Sequence, residues 1–590
     1  MVRYLKTIEK FYNKKVDATG LAIFRMIYGC ILFCVVLELL QYRHLIFDEI
    51  PYLSFSNIDY KYVLIIWLIV IWHIIMGLFT RIATIINYVL SVVFIATINN
   101  FGNHVFNIMV TINFLLMFIS VARVFSLDAV IIKIQLPVNN FRSSKVSVLN
   151  YYSLVLMSLG LMYFISVFDK LFVNYWANGM AIWAFLSVPS EFARYDLTFL
   201  LNNKLLSQGL TYATLIFEIL FIFLCFRKRT RLVTLIVGVL FHLGILLCFT
   251  ITIFQLTFIC LYILLIPFSF WSFLKLKCQY RHKTPLYVVR GYRWSEQLYQ
   301  LLRSIDVLNA FNCKLVNKIL ITGSKSSKSK MIYIKVSGSY IHDYQQIMPY
   351  LFKRIPSCMP FVLVIGISRI RAIIVNLLKL IFSFKIKSTN DDNEAYLKSY
   401  KIKTIASILL LLVILQVHAL LDTNFARKVN LPKSNIQITS LSRAFFGIGR
   451  HHVFTFDYEN SNLQVYAIGI ALVNKYSEIW LPLTLENGTA GTYKTNFSRS
   501  RSFYSNRDGV LDSVLLNNYV RDFTAFWSVN NKIDLDSANF NVYSKKVRMQ
   551  FNWEKDKYQK SLSIPWTNLG RIVWKDSTYI SQLNLLKKTN

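Results

Sequence analysis

Nine stretches of mostly apolar residues, at roughly 19–40, 61–79, 82–98, 104–122, 150–169, 209–226, 231–250, 251–271 and 404–421, dominate this chain. A hydrocarbon core takes about 20 residues of helix to cross, so nearly every run is long enough to span. In lipid a spanning segment must satisfy its own backbone polar groups, and the helix is the form that does so. The third run is short, and only Thr250, Ile251 and Thr252 separate the seventh from the eighth. The first begins near Ala18 after a basic polar lead and reads as a span, not as a cleavable signal peptide. A mean hydropathy of +0.45 excludes a water-soluble globule of ordinary charge content. The expected fold class is a polytopic α-helical membrane protein with about nine transmembrane helices.

Loop charge orients these spans. Lys and Arg outnumber Asp and Glu by 65 to 30, an excess that suits positive-inside loops, an anionic lipid surface or nucleic acid. Much of it sits in short loops beside the spans, so the first reading is preferred and no nucleic-acid partner is expected. The lead carries Arg3, Lys6, Lys10, Lys14 and Lys15; alternate breaks carry Arg81, then Arg123, Lys133, Arg142 and Lys145, then Arg227, Lys228, Arg229 and Arg231. The intervening NNFGN loop and the break near Thr250 have no basic residue. The amino terminus is therefore expected in the cytoplasm, with 272–403 inside and 422–590 in the periplasm or lumen. Abundant Ile, Asn and Lys suggest an AT-rich genome and a bacterial inner membrane.

Four parts follow: a transmembrane domain of eight spans over 1–271, a cytoplasmic α/β domain over 272–403, a ninth helix over 404–421, and an exoplasmic β-rich domain over 422–590. In the inner part the pattern predicts strands over Thr284–Val289 and Met331–Val336, a helix over Trp294–Asn309, a loop at SKSSKSK (Ser324–Lys330) and further apolar helix up to Phe384. The outer part alternates apolar and polar residues in LQVYAIGIALV, YSEIWLPLTLENG and NVYSKKVRMQFNW, the period of half-buried strands. Eight scattered cysteines form no CxxC pair and no disulfide framework.

Ionisable residues inside spans cost about 2.5–3.5 kcal/mol each on insertion scales and usually face the bundle interior. Here they are Arg25, Glu38, His73, His104, Asp169 with Lys170, Glu218 and His242. The topology puts Glu38, His104, Lys170 and His242 in the outer half of the membrane. A desolvated lysine there, unpaired and facing an apolar void, can act as a general base. Asp169 would hold that amine protonated if it faced it, but helix neighbours point about 100° apart. The plainer reading is an interfacial anchor, since Lys170 stands among Phe172, Tyr175 and Trp176. His104 and His242 lack a carboxylate or thiol at ligand spacing, and His451 and His452, if on one strand, point to opposite faces, so no metal is expected. Arg25 reads as a brace between helices or a headgroup contact.

Several of these residues lie in segments that resemble, in order, those of the HTTM domain, a membrane domain shared with vitamin K-dependent γ-glutamyl carboxylase. They are DATGLAIFRMIYG (Asp17–Gly29), GNHVFNIMVTINFLL with RVFSLD (Arg123–Asp128), YFISVFDKL (Tyr163–Leu171), the RKRTR turn and FHLGILLCFTITIF (Phe241–Phe254). The resemblance implies a reaction driven by a reduced quinone, with Lys170 as the base that deprotonates it and His242 at the family's FH histidine. His104 and Glu218 are expected in support, and Arg25 and Trp176 beside the quinone. The chain departs from the carboxylase at Asp169, where a second lysine stands, and at Arg123 and Val124, where a histidine precedes the SxD element. The inner part resembles a DCC thioredoxin-like domain, but its matching stretch RGYRWSEQ (Arg290–Gln297) has no cysteine and cannot run thiol exchange.

The leading expectation is thus a membrane enzyme using Lys170, His242, His104 and Glu218 on a reduced quinone, with membrane lipids and a periplasmic peptide or protein as partners. The alternative is a non-catalytic membrane scaffold that binds a lipid and partner proteins.

Overall fold

The computed structural model describes residues 2–54, 59–97, 104–135, 143–292, 294–317, 331–336, 339–341, 394–450, 464–474, 476–493, 513–549 and 552–584, with a few more between 347 and 355. An amphipathic lead helix α1 (Val2–Asn13) is followed by α2 (Thr19–Gln41), α3 (Tyr60–Met76), α4 (Thr80–Thr97), α5 (His104–Leu116) and the short α6 (Leu127–Gln135). Then come α7 (Leu149–Lys170), α8 (Lys204–Leu224), α9 (Arg231–Cys248), α10 (Thr252–Tyr262) and α11 (Phe268–Cys278).

Every apolar run is helical, but they differ as crossings. Five helices among the described residues are long and apolar enough to span: α2, α7, α8, α9 and Ser399–Leu420. The helices α3, α4 and α5 are apolar but shorter. The eighth run does not continue straight as expected. It bends by 85° between Leu265 and Phe268, and the two pieces make a sixth span only if taken together. The cause is Pro267, which offers no N–H to the helix and holds Ile266 in extended backbone at ψ 131°. Within α7, a π-turn at Leu156–Gly160 inserts an extra residue into the helical register.

The ends of the bundle gather different parts. At one end β1 (Lys15–Asp17) pairs antiparallel with β2 (Lys145–Ser147), and Lys275 reaches Asp17 at 2.9 Å. The inner domain docks there, its helix α12 (Ser295–Ile305) against α6. Its sheet runs β4 (Phe311–Val316), β3 (Thr284–Val289), β5 (Ile332–Val336), β6 (Ser339–Ile341), with β3 and β4 parallel and the other pairs antiparallel. Both strands read from the sequence are present, and the helix is shorter than Trp294–Asn309. Burial pushes the Cys313 thiol on β4 up to about 12, so it is no exchange nucleophile. The SKSSKSK loop and the apolar stretch up to Phe384 lie outside the described residues.

The last apolar helix, α13 (Glu394–Leu420), begins before the expected boundary at 404 and leads through α14 (Ile436–Phe446) to the carboxyl-terminal domain at the opposite end. That domain is a five-stranded antiparallel sheet in the order β11 (Thr578–Leu583), β10 (Thr567–Lys575), β9 (Asn539–Arg548), β7 (Gln464–Val473), β8 (Glu478–Trp480). It is not simply β-rich: α15 (Ser513–Asn530) packs on the sheet, where Trp574 Nε1 donates to Thr524 Oγ1 at 3.1 Å. The buried positions Leu516, Val520, Phe523 and Trp527 fall at helical spacing, a signal masked by the strand-like segments around it. The domain seats on the loops after α2, α7 and α9, through Tyr42 against Phe526, Ala490 N–H to the Pro189 carbonyl, and a shared core of Tyr175, Phe249, Val465 and Val547.

Close packing of α9 on α10 requires Gly238, because a Cβ there would lie 2.1 Å from the Tyr262 ring. Gly209 on exposed α8 has nothing within 4 Å of such an atom. Thermal unfolding in detergent is expected to show Gly238→Ala destabilised by about 1–3 kcal/mol. Gly209→Ala is expected to be neutral or stabilised by up to about 1 kcal/mol.

Candidate functional site

The carboxyl end of α7 carries three side chains to one face at helical spacing: Tyr163, Ser166 and Lys170 line a cavity of about 420 Å³ enclosed by α7, α8, α9, α10 and the segment after α7. The wall is mainly apolar, with Phe217, Phe241, Phe254 and Phe258 contributing rings. Leu210 and Leu240 line it too while 38% and 62% exposed on the outer surface of α8 and α9, so the cavity abuts the lipid-facing side of the bundle.

Lys170 and Asp169 part company as helix geometry dictates. Asp169 turns to the carboxyl-terminal segment, where Arg450 Nε donates to both its oxygens at 2.9 and 2.8 Å. Lys170 Nζ turns into the cavity wall and donates to Glu218 Oε1 and Oε2 at 2.5 and 2.7 Å. Lys170 and Glu218 are each only 5% exposed. The amine also stands 4.8 Å from the centroid of the Trp176 ring, whose face attracts a cation. The expectation of an unpaired amine is therefore corrected: the nitrogen is dry and beside a void, but a carboxylate from α8 holds it.

A second polar chain runs along the same wall. His242 Nε2 meets the Tyr163 hydroxyl, and His242 Nδ1 lies 2.5 Å from Gln255 Oε1. Because a carbonyl oxygen only accepts, Nδ1 carries the hydrogen, and the neutral imidazole then accepts at Nε2 from Tyr163. The Tyr163 hydroxyl also sits 3.2 Å from that of Tyr262. The wall thus presents an acid–base pair and a tyrosine–histidine–amide chain within one apolar chamber.

Of the residues expected in the site, Lys170, Glu218, His242 and Trp176 meet at this cavity. Arg25 does not. Its guanidinium donates to the backbone carbonyls of Ile75 at the end of α3 and of Val121 and Phe125 in the loop between α5 and α6, tying both to α2, so the place beside a cofactor is corrected to a structural clasp. His104 opens α5, no residue of which lines the cavity, and its side chain lies outside the described residues, as do His451 and His452. Tyr163, Gln255, Tyr262 and Arg450 went unremarked in the sequence, although a glutamine inside an apolar span is itself a signal. Among the described residues no three His, Cys, Asp or Glu side chains group as a metal site.

Removing one partner of a buried ion pair strands the other charge. Lys170→Ala is expected to cost about 3–5 kcal/mol, and the double variant Lys170→Met/Glu218→Leu much less, as read by thermal unfolding of the purified protein. Equal losses in both would show that the two groups do not depend on each other.

No curated protein and no solved structure matches the chain. Residues 13–271, which include every residue named on the cavity wall, match the family model of the HTTM domain.

Proposed function

We propose that this protein is a multi-pass membrane enzyme that removes a proton from a lipid-soluble, weakly acidic ligand of the hydroquinone class, in the manner of vitamin K-dependent carboxylases. The observation that carries the reading is the buried Lys170–Glu218 pair on the wall of an apolar cavity beside the lipid-facing surface. A chamber of about 420 Å³ falls within the usual size of small-molecule sites, about 300–1,000 Å³, and its aromatic lining suits a flat apolar ring. A bound hydroquinone would supply the acidic O–H and the reducing electrons, with oxygen as the oxidant.

The chain's own residues then hold and move protons. In the ion-paired form Lys170 carries the proton and Glu218 the charge. Passing that proton to Glu218 makes both groups neutral, a form an apolar site tolerates better than separated charge. Lys170 is then a free amine able to take a proton from a ligand hydroxyl, leaving the electron pair on the ligand oxygen. With the Tyr163 and His242 hydrogens used within the Tyr163–His242–Gln255 chain, the amide nitrogen of Gln255 is the group on this wall that can donate to a second oxygen of the same ligand. Trp176 and Phe258 line the chamber with apolar rings.

The same reading places nine apolar helices across the membrane, the basic end of the bundle in the cytoplasm, and the carboxyl-terminal domain outside, in a bacterial inner membrane. The loops after α2, α7 and α9 share one end with that domain, which supports this threading. A second reading, a non-catalytic scaffold, is favoured by the closed bidentate geometry of Lys170 on Glu218 and by the absence of a thiol pair in RGYRWSEQ.

The test is to incubate the protein in lipid nanodiscs with a reduced naphthoquinone, oxygen and labelled bicarbonate, following quinone epoxide and label fixed on added peptide. Quinol oxidation is expected to fall at least about hundredfold in Lys170→Ala and Glu218→Gln, while quinone quenching of Trp176 fluorescence persists in both. Equal turnover in wild type and variants rules out the enzyme and leaves the scaffold.

A further inference from the structure

At the basic end of the bundle, away from the Lys170 chamber, a second cavity of about 280 Å³ opens between the start of α4, the loop after α5 and the helix α6. Its rim carries Arg81 and Arg123, and its wall Thr80, Ser120 and Asp128. Neither guanidinium has a hydrogen-bond or ion-pair partner among the described residues, in contrast to Arg25 and Arg231, which clasp backbone carbonyls. Asp128 is the one acidic side chain facing the cavity, and its oxygens already accept from the backbone N–H groups of Phe79 and Thr80 at 2.8 and 2.9 Å. Thr80, only 5% exposed, has a buried hydroxyl with no partner. With Arg81 and Arg123 against the single carboxylate of Asp128, the net charge facing the cavity is positive.

What lies beside it identifies the occupant. Counting up α4 from Arg81 in steps of four, Ile85, Val89 and Val93 share its face and are 44%, 51% and 53% exposed, with Ile82 next to Arg81 at 59%. An apolar lane exposed along a membrane helix faces acyl chains. A guanidinium pair at the foot of such a lane matches a molecule with a phosphate at one end and a hydrocarbon tail at the other.

We propose that this cavity is a binding site for the headgroup phosphate of an anionic phospholipid, held between Arg81 and Arg123 with its acyl chain along Ile85, Val89 and Val93. Arg123 stands in the loop just before α6, the helix on which α12 of the inner domain docks. A lipid held there ties the inner domain's docking face to the membrane surface.

The experiment uses the full chain in detergent, titrated separately with phosphatidylglycerol, phosphatidylcholine and inorganic phosphate, with retained lipid counted by native mass spectrometry. Wild type is expected to prefer phosphatidylglycerol over phosphatidylcholine by roughly tenfold, and Arg81→Gln/Arg123→Gln to bring the ratio within about twofold. Arg123→Lys, which keeps the charge, is expected to retain most of the preference. Should the double variant not survive purification, each single Arg→Gln variant is expected to lose about threefold. Equal retention of the two lipids by wild type, or an undiminished preference in the Gln variants, overturns the site. Saturation by inorganic phosphate without any lipid preference assigns the arginines to free phosphate and overturns it as well.

Discussion

A lysine and a glutamate on neighbouring helices, both shut away from water, set the terms for the centre of this molecule. Each charge is costly alone in an apolar bundle, and their mutual attraction compensates only while α7 and α8 hold the two groups at 2.5–2.7 Å. That constraint fixes the relative rotation and height of the two helices. On the cavity wall the pair lies in a low dielectric, where one proton decides whether the wall is ionic or neutral.

The second buried ion pair does different work. Asp169 precedes Lys170 by one residue, and the rotation of the helix sends it toward Arg450, beyond the last apolar helix. Just before Arg450, Gly447 closes α14 at φ +66°, with its Cα so near the Asn107 carbonyl that no side chain fits. The chain's path from α13 into the carboxyl-terminal domain is thus pinned to α5 and α7 together. The domain packs over the segment that carries Trp176, where Val465 and Val547 share a core with Tyr175 and Trp176, so this stretch of the chamber's wall is backed by residues far along the chain.

Much of this was legible in the residues. Among the described residues the apolar runs located the five helices long enough to span and the shorter apolar ones beside them, because lipid permits little else there, and period-2 alternation found β3, β5, β7 and β9. Charged residues inside those runs pointed to Lys170, Glu218 and His242 for the same energetic reason. What stayed hidden was pairing. Spacing along one helix cannot reveal that Glu218 rather than Asp169 faces Lys170, because partners on different helices are set by helix packing. Arg25 read from its own span is a brace, which its bonds to carbonyls bear out, whereas the place beside a cofactor came from the resemblance alone and is not met. The helix α15 was missed because its apolar spacing lies between strands whose alternation dominates the region.

The π-turn at Leu156–Gly160 shows how local backbone and distant chemistry are joined. Upstream of it Tyr151 is fixed, since its hydroxyl donates to the Asp17 carbonyl and accepts from the Leu21 N–H. Downstream, Tyr163, Ser166 and Lys170 must all meet one cavity. A regular helix advances 100° per residue, so one inserted residue turns everything beyond it by about that much. Without the insertion, the face anchored at Tyr151 and the face bearing Lys170 would be out of phase, and the amine would point away from Glu218. At the end of the wide turn Gly160 packs against Ile222 of α8, at a distance where a Cβ would make ordinary contact. The placement of the buried pair therefore depends on an irregularity about three turns earlier in the same helix.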